Sequence, residues 1–261
     1  MHTIWICPNT AYESAVRDFI AVILRRGPDN EFLPDLERFS LSISVPGLWN
    51  SLSQVVLKLT CPGVPDIFQG AELWDFSLVD PDNRRPVDYT IRKRLLSKLP
   101  VGAGSRRKEW LSDAIRTLQD GRLKLYITAC IARFRRANEH FFREAGYIPL
   151  EPTGERRNHI VSFARRLPDT TVIVVAARFF AKLGCRTSFP TGDEVWQDSR
   201  LTLWNDSPER HYRDLLSGTT VEAFREGDRW TLPISPLLSS LPVALLISEP
   251  PSGSFSPSLR Q

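Results

Sequence analysis

The hydrophobic pattern of this chain changes period once, and that change limits the fold more than any single motif does. Up to about residue 143 apolar side chains recur at helical spacing, and beyond Gly146 they fall into short runs between turn residues. In the first part the spacing predicts a helix over 12–24, a break at Gly27, Pro28 and Asp29, and a second helix carrying Phe32, Leu33, Leu36 and Phe39. A third helix is expected from Trp49, Leu52, Val55, Val56 and Leu59, stopped by Pro62 and Gly63. Helical pattern returns at 91–99, 108–119 and 122–143. The last of these has Leu123, Ile127, Cys130, Ile131, Phe134 and Phe141 on one side, and Lys124, Arg133, Arg135 and Arg136 on the other. After it come strands at 147–150, 159–165, 171–179, 201–204, 212–216, 219–224 and 243–248. The chain of 261 residues, 42% of them hydrophobic, is long enough for two cores. The reading is therefore two units, 1–145 and 146–248, followed by a Pro- and Ser-rich mobile tail at 249–261.

One segment of the helical part departs from its surroundings. Residues 64–70 are apolar-rich and bounded by Pro and Gly, which predicts a buried parallel strand. A polar excursion follows to residue 88, with Asp75, Asp80, Asp82, Asn83, Arg84, Arg85 and Asp88 interleaved with Trp74, Phe76 and two prolines. Loops this long and this charged are more often functional than incidental. Helix, short strand and charged loop in that order describe the last quarter of a (β/α)8 barrel, whose active site lies at the C-terminal ends of the strands. The expected fold class is α/β plus all-β: the C-terminal part of a (β/α)8 barrel, with its last strand and flanking helices, followed by an antiparallel β-sandwich.

Composition narrows the function. The 34 basic and 30 acidic residues leave a formal charge of +4, and the basic residues sit in scattered pairs such as Arg106-Arg107 and Arg156-Arg157. That is a solvated surface and not a nucleic-acid stripe. No uninterrupted apolar run is long enough to span a membrane and no secretory signal pattern is present, so a cytoplasmic protein without membrane partners is expected. Cys7, Cys61, Cys130 and Cys185 and the four histidines are too dispersed for a metal site or a disulfide framework, so neither metal nor cofactor is expected.

The loop residues themselves resemble a known family. Residues 62–70, Pro-Gly-Val-Pro-Asp-Ile-Phe-Gln-Gly, followed by Glu72-Leu73-Trp74-Asp75, are similar to the eighth barrel strand of the α-amylase superfamily. The uninterrupted continuation from Leu78 through Asp80-Pro81-Asp82-Asn83-Arg84-Arg85-Pro86-Val87-Asp88-Tyr89 resembles the maltooligosyl trehalose synthases in particular. The resemblance covers about 245 residues, strongly over 49–89 and weakly beyond 146. It implies an intramolecular transglycosylation that turns the reducing-end α-1,4 bond of a maltooligosaccharide into an α,α-1,1 bond. Retaining glycosyl transfer requires a carboxylate nucleophile and a carboxylic acid. The resemblance places both, with a supporting Asp, on barrel strands ahead of residue 1, so no catalytic residue is expected here, and a missing N-terminal barrel segment becomes a partner.

Within the chain the expected substrate-binding residues are Trp74, Asp80, Asp82, Arg84 and Arg85. The guanidinium groups would shape a sugar subsite beside the two carboxylates, and Trp74 would stack on a glucose ring. The bland alternatives are a surface salt-bridge cluster and a core tryptophan. Asp66, Gln69 and Glu72 are expected at the strand end in structural roles, and Asp88 as a helix cap. Trp196, Trp204 and Trp230 could bind glucan, although core positions are the better reading for at least two of them. The competing function, from a different class, is a carbohydrate-binding or structural module without catalysis.

Overall fold

The computed structural model describes residues 2–100, 105–168, 170–185, 189–204 and 210–249. Eight α-helices and ten strands are formed among them. The helices α1 (Thr10–Ile23), α2 (Phe32–Thr60), α3 (Tyr89–Leu96), α4 (Ser105–Arg116), α5 (Arg122–Ala137) and α6 (Glu139–Glu144) precede the strands. Then follow β1 (Gly146–Pro149), β2 (Pro152–Thr153), β3 (Ile160–Leu167), β4 (Thr170–Ala177), α7 (Asp193–Trp196), β5 (Arg200–Thr202), β6 (His211–Asp214), β7 (Thr220–Glu222), β8 (Phe224–Glu226), β9 (Arg229–Pro233), α8 (Ile234–Leu237) and β10 (Val243–Ser248). No helix among the described residues is long and apolar enough to cross a membrane.

Two sheets form, and every pairing in them is antiparallel. The larger has the order β1-β3-β4-β10-β6-β7 and the smaller β2-β5-β9-β8. β4 is buried at each of its eight residues, so both of its faces are covered; its run Val-Ile-Val-Val is apolar on both sides for that reason. The second half of α2 packs against this sheet, and the Ser53 hydroxyl donates to the Ala177 carbonyl at 2.7 Å. One continuous apolar core joins Leu48 of α2 to Ile247 of β10.

Three expectations of element structure change. Residues 64–70 form no strand: the backbone is irregular and Val64 is 98% exposed. A parallel strand needs neighbours to take up its N–H and C=O groups, and no described strand lies beside this segment. The two helices expected at 32–39 and 49–60 are one, because α2 runs through Pro46. Proline forgoes a single backbone bond, and from Leu48 onward burial holds the helix. Conversely, 122–143 is two helices, broken at Asn138, whose φ of −126° and ψ of 43° are not helical and whose side-chain amide donates to the Phe134 carbonyl at 2.9 Å. Three short strands, β2, β8 and β9, were not legible, and residues 250–261, where a tail is expected, lie outside the described residues.

The junction between helices and sheet is made by a buried cation. Arg165 of β3 is 1% exposed and has no carboxylate partner among the described residues. Its guanidinium donates to the carbonyls of Thr60 (3.2 Å), Phe142 (2.9 Å) and Ala145 (2.8 and 3.2 Å). Those oxygens belong to the last turns of α2 and α6, where helix carbonyls lack internal partners and the helix dipole is negative. Replacing Arg165 by Met leaves three carbonyls unsatisfied in the core, and we expect a loss of about 3–5 kcal/mol. Calorimetry should read this as a melting temperature lower by on the order of 10 °C; an unchanged transition would show that the junction is held elsewhere.

Candidate functional site

The segment from Gly70 to Asp88 leaves the helical core and returns to it, and both of its ends are pinned by long cations. Arg92, one turn into α3, donates from Nη2 to the Gly70 carbonyl at 2.6 Å and from Nη1 to the Asp88 carbonyl at 3.1 Å. Its Nε meets Glu72 Oε2 at 3.0 Å in a pair whose side chains are only 18% and 26% exposed. Lys124 of α5 donates to the Leu73 carbonyl at 3.0 Å and lies 5.5 Å from the centre of the Trp74 ring. Burial, and after it the neighbouring Lys58, pushes the Lys124 pKa below its ordinary value. The Trp74 indole donates to the Leu118 carbonyl at 2.6 Å. Gly121 must be glycine here, because its φ is +77° and a Cβ would lie 3.2 Å from the Trp74 amide nitrogen.

The tip of the loop is held by local ion pairs. Arg84 chelates Asp80, with Nη2 to Oδ2 at 2.8 Å. Arg85 pairs with Asp82 Oδ1, while Asp82 Oδ2 accepts from the Leu78 amide at 2.7 Å. These are spacings of four and three residues, and the two arginine side chains are more than 70% exposed. The Leu78 amide and then Arg85 hold the Asp82 carboxyl below the ordinary carboxylate range, and hydrogen bonds from Ser77 do the same for Asp75. Both are therefore ionised acceptors and unsuited to general-acid work, which calls for a raised pKa. Such an arrangement can order a loop and offer guanidinium N–H groups to hydroxyls. It cannot supply an acid and a nucleophile facing each other.

The expected site residues are thus distributed unevenly. Asp80, Asp82, Arg84 and Arg85 come together at the tip, and Trp74 is half-buried at the base. Glu72 holds Arg92, whereas Asp66 and Gln69 are exposed on the irregular segment before the loop. Asp88 caps α3, its Oδ1 accepting from the amides of Thr90 and Ile91. Of the three tryptophans weighed as glucan binders, Trp196 is fully buried, and Trp204 and Trp230 are half-buried against the core under Arg166 and Arg210. Sequence reasoning missed Arg92 and set Lys124 on the polar side of its helix. Lys124 is 8% exposed because the loop covers it. Its spacing of four from Thr128 and seven from Ile131, both buried, carried that signal. Beside it, Ser51, Gln54, Lys58, Ile67, Ala71 and Thr128 line a cavity of about 370 Å³ between α2, α5 and the loop base.

Comparison with known proteins bears on this arrangement. No family model matches the chain. A Mycobacterium tuberculosis protein named as a maltooligosyl trehalose synthase is 31% identical over 248 residues, which is 95% of this chain and 26% of that protein. The solved maltooligosyltrehalose synthase of Arthrobacter ramosus superposes with a TM-score of 0.69 at 27% identity, over 95% of this chain and 28% of that one. The chain resembles the C-terminal part of a maltooligosyl trehalose synthase. It spans about a quarter of the length of the synthases it matches. A Sulfolobus tokodaii protein described as a hypothetical maltooligosyl trehalose synthase, 24% identical with a TM-score of 0.59, shares the fold.

The pinning by Arg92 gives a direct test. Replacing Arg92 by Met should speed hydrogen exchange across 72–88 by about tenfold or more, equivalent to about 1.5 kcal/mol of local stability, and leave the amides of β4 unchanged. Equal exchange in both proteins would mean that the loop is held without it.

Proposed function

We propose that this chain is the C-terminal portion of a maltooligosyl trehalose synthase, in which residues 1–145 contribute helices and the loop at 70–88, but no strand among the described residues, to a (β/α)8 barrel and residues 146–248 form an antiparallel β-sandwich behind it. The reaction is the rewriting of the reducing-end α-1,4 bond of a maltooligosaccharide as an α,α-1,1 bond, with the nucleophile and acid supplied by polypeptide outside this chain. The match over 95% of the chain supports this reading most strongly. The chemistry of the loop agrees with it: carboxylates paired with arginines, with Asp82 held below its ordinary range, belong to the wall of a sugar subsite and not to its acid-base pair. In this reading Arg84 and Arg85 orient sugar hydroxyls, and Asp80 and Asp82 orient the arginines. Trp74, tied to Leu118 and Lys124, sets the base of the loop and is not a free stacking platform.

Two assays test it. The chain alone, incubated with maltopentaose, should give neither a non-reducing product nor free glucose; turnover abolished by Asp80→Asn or Asp82→Asn would overturn the assignment of the catalytic carboxylates to another segment. In a chimera carrying residues 1–249 in place of the matched part of the Arthrobacter ramosus synthase, Arg84→Ala should lower kcat/KM by about 10- to 100-fold, as expected for a charge-assisted contact of about 1.5–3 kcal/mol. A kcat/KM equal to that of the parent chimera would remove Arg84 from the subsite.

A further inference from the structure

Residues 2–45 contain no buried side chain among those described, yet their pattern is that of packed helices. On α1, Tyr12, Val16, Phe19 and Ile20 stand at i, i+4, i+7 and i+8 and are 38–63% exposed. On the first half of α2, Phe32, Leu36, Phe39 and Ile43 stand at i, i+4, i+7 and i+11 and are 38–60% exposed. Each set is one stripe along one helix face. The turn between the helices is ordered, with the Asn30 side chain donating to the carbonyls of Ile23 and Arg25 at 2.7 Å and Arg26 pairing with Glu37 at 3.2 Å. The helices are thus tied at their ends without burying their apolar stripes against each other. A 14-residue helix is marginal in water without tertiary cover, and paired apolar stripes of this extent mark an interaction surface.

Resting on the function proposed above, we infer that the stripes of α1 and the first half of α2 are the docking surface for the part of the synthase that this chain does not match. The coverage argues for that occupant. The match takes in 95% of this chain but only 28% of the Arthrobacter ramosus protein, so the relative holds its equivalent of this segment within a much longer polypeptide. Charge argues the same way. Glu13, Arg17, Asp18, Asp35, Glu37 and Arg38 mix both signs around the stripes with acidic residues in excess, which suits an apolar protein surface and not a polyanion.

The test uses the chimera and the chain alone side by side. Phe19→Asp with Phe39→Asp should lower the melting temperature of the chimera by several degrees and raise hydrogen exchange over 10–45, while the chain alone, in which both positions are already exposed, melts unchanged. Equal melting of parent and variant chimeras would overturn the inference. So would a chain that dimerises alone and loses its dimer in the double variant, since a second copy would then be the occupant. A chimera that is stabilised through this face but inactive on maltopentaose would sink the proposed function and leave the docking surface standing.

Discussion

The fold depends on one guanidinium group placed where the described residues offer it no anion. Arg165 rises from β3, next to the edge strand of the larger sheet, into the space where α2 and α6 end, and its hydrogen-bond acceptors are backbone carbonyls. Burying an unpaired cation is normally prohibitive, but helix C-termini concentrate carbonyls that have no partner of their own. Each feature answers the need of the other. With its carbonyls satisfied, the end of α2 can lie against β4, and the apolar core can close from Leu48 to Ile247. The helical half and the strand-rich half of the sequence are joined through this contact, although their hydrophobic patterns differ.

The same chemistry recurs wherever irregular backbone must be fastened to regular structure. Arg135 of α5 reaches the carbonyls of Leu59 and Gly63, and Arg107 of α4 reaches that of Leu215. Arg92 and Lys124 hold the two ends of the candidate loop. Long side chains carry their charge across an apolar surface to a single oxygen, so a helix can restrain a loop that it does not touch along its length. The result is a loop with a fixed base and a tip stiffened by its own ion pairs. Under the proposed subsite role this matters, since disorder at the tip would consume the energy of a contact between guanidinium and sugar.

Much of this architecture was legible in the sequence because it rests on local pattern. The change of period after residue 143, the termination of α2 at Pro62 and Gly63, and the cap at Asp88 all follow from residue chemistry within a few positions. What was not legible depends on distant groups. Residues 64–70 have the composition of a buried strand, but a strand exists only if other strands accept its hydrogen bonds. Lys124 looks like a surface residue until the loop fifty residues earlier covers it. β8 is three residues long and exposed throughout, and β9 has its two buried residues adjacent, so neither alternation nor apolar runs announce them. The ion pairs of Asp80 with Arg84 and Asp82 with Arg85 were legible because i,i+3 and i,i+4 charge pairs are local; the clamps at Arg92 and Lys124 were not, because their partners are backbone oxygens, which every residue has, and, for Arg92, a carboxylate twenty residues away.

A joint made from guanidinium and carbonyl groups has no titrating partner. Guanidinium stays protonated at any biological pH and an amide oxygen never ionises, so the contact at Arg165 is indifferent to acid, and its burial shields it from salt. The surface pairs differ. Arg122 and Arg116 hold the Asp113 carboxyl below its usual range, so its contribution is present at neutral pH and is lost as pH falls through that depressed value. Acid should therefore loosen the outer faces of α4 and α5 first and leave the seam between helices and sheet for last, giving this chain an order of disassembly set by which of its cations chose oxygens that cannot take up a proton.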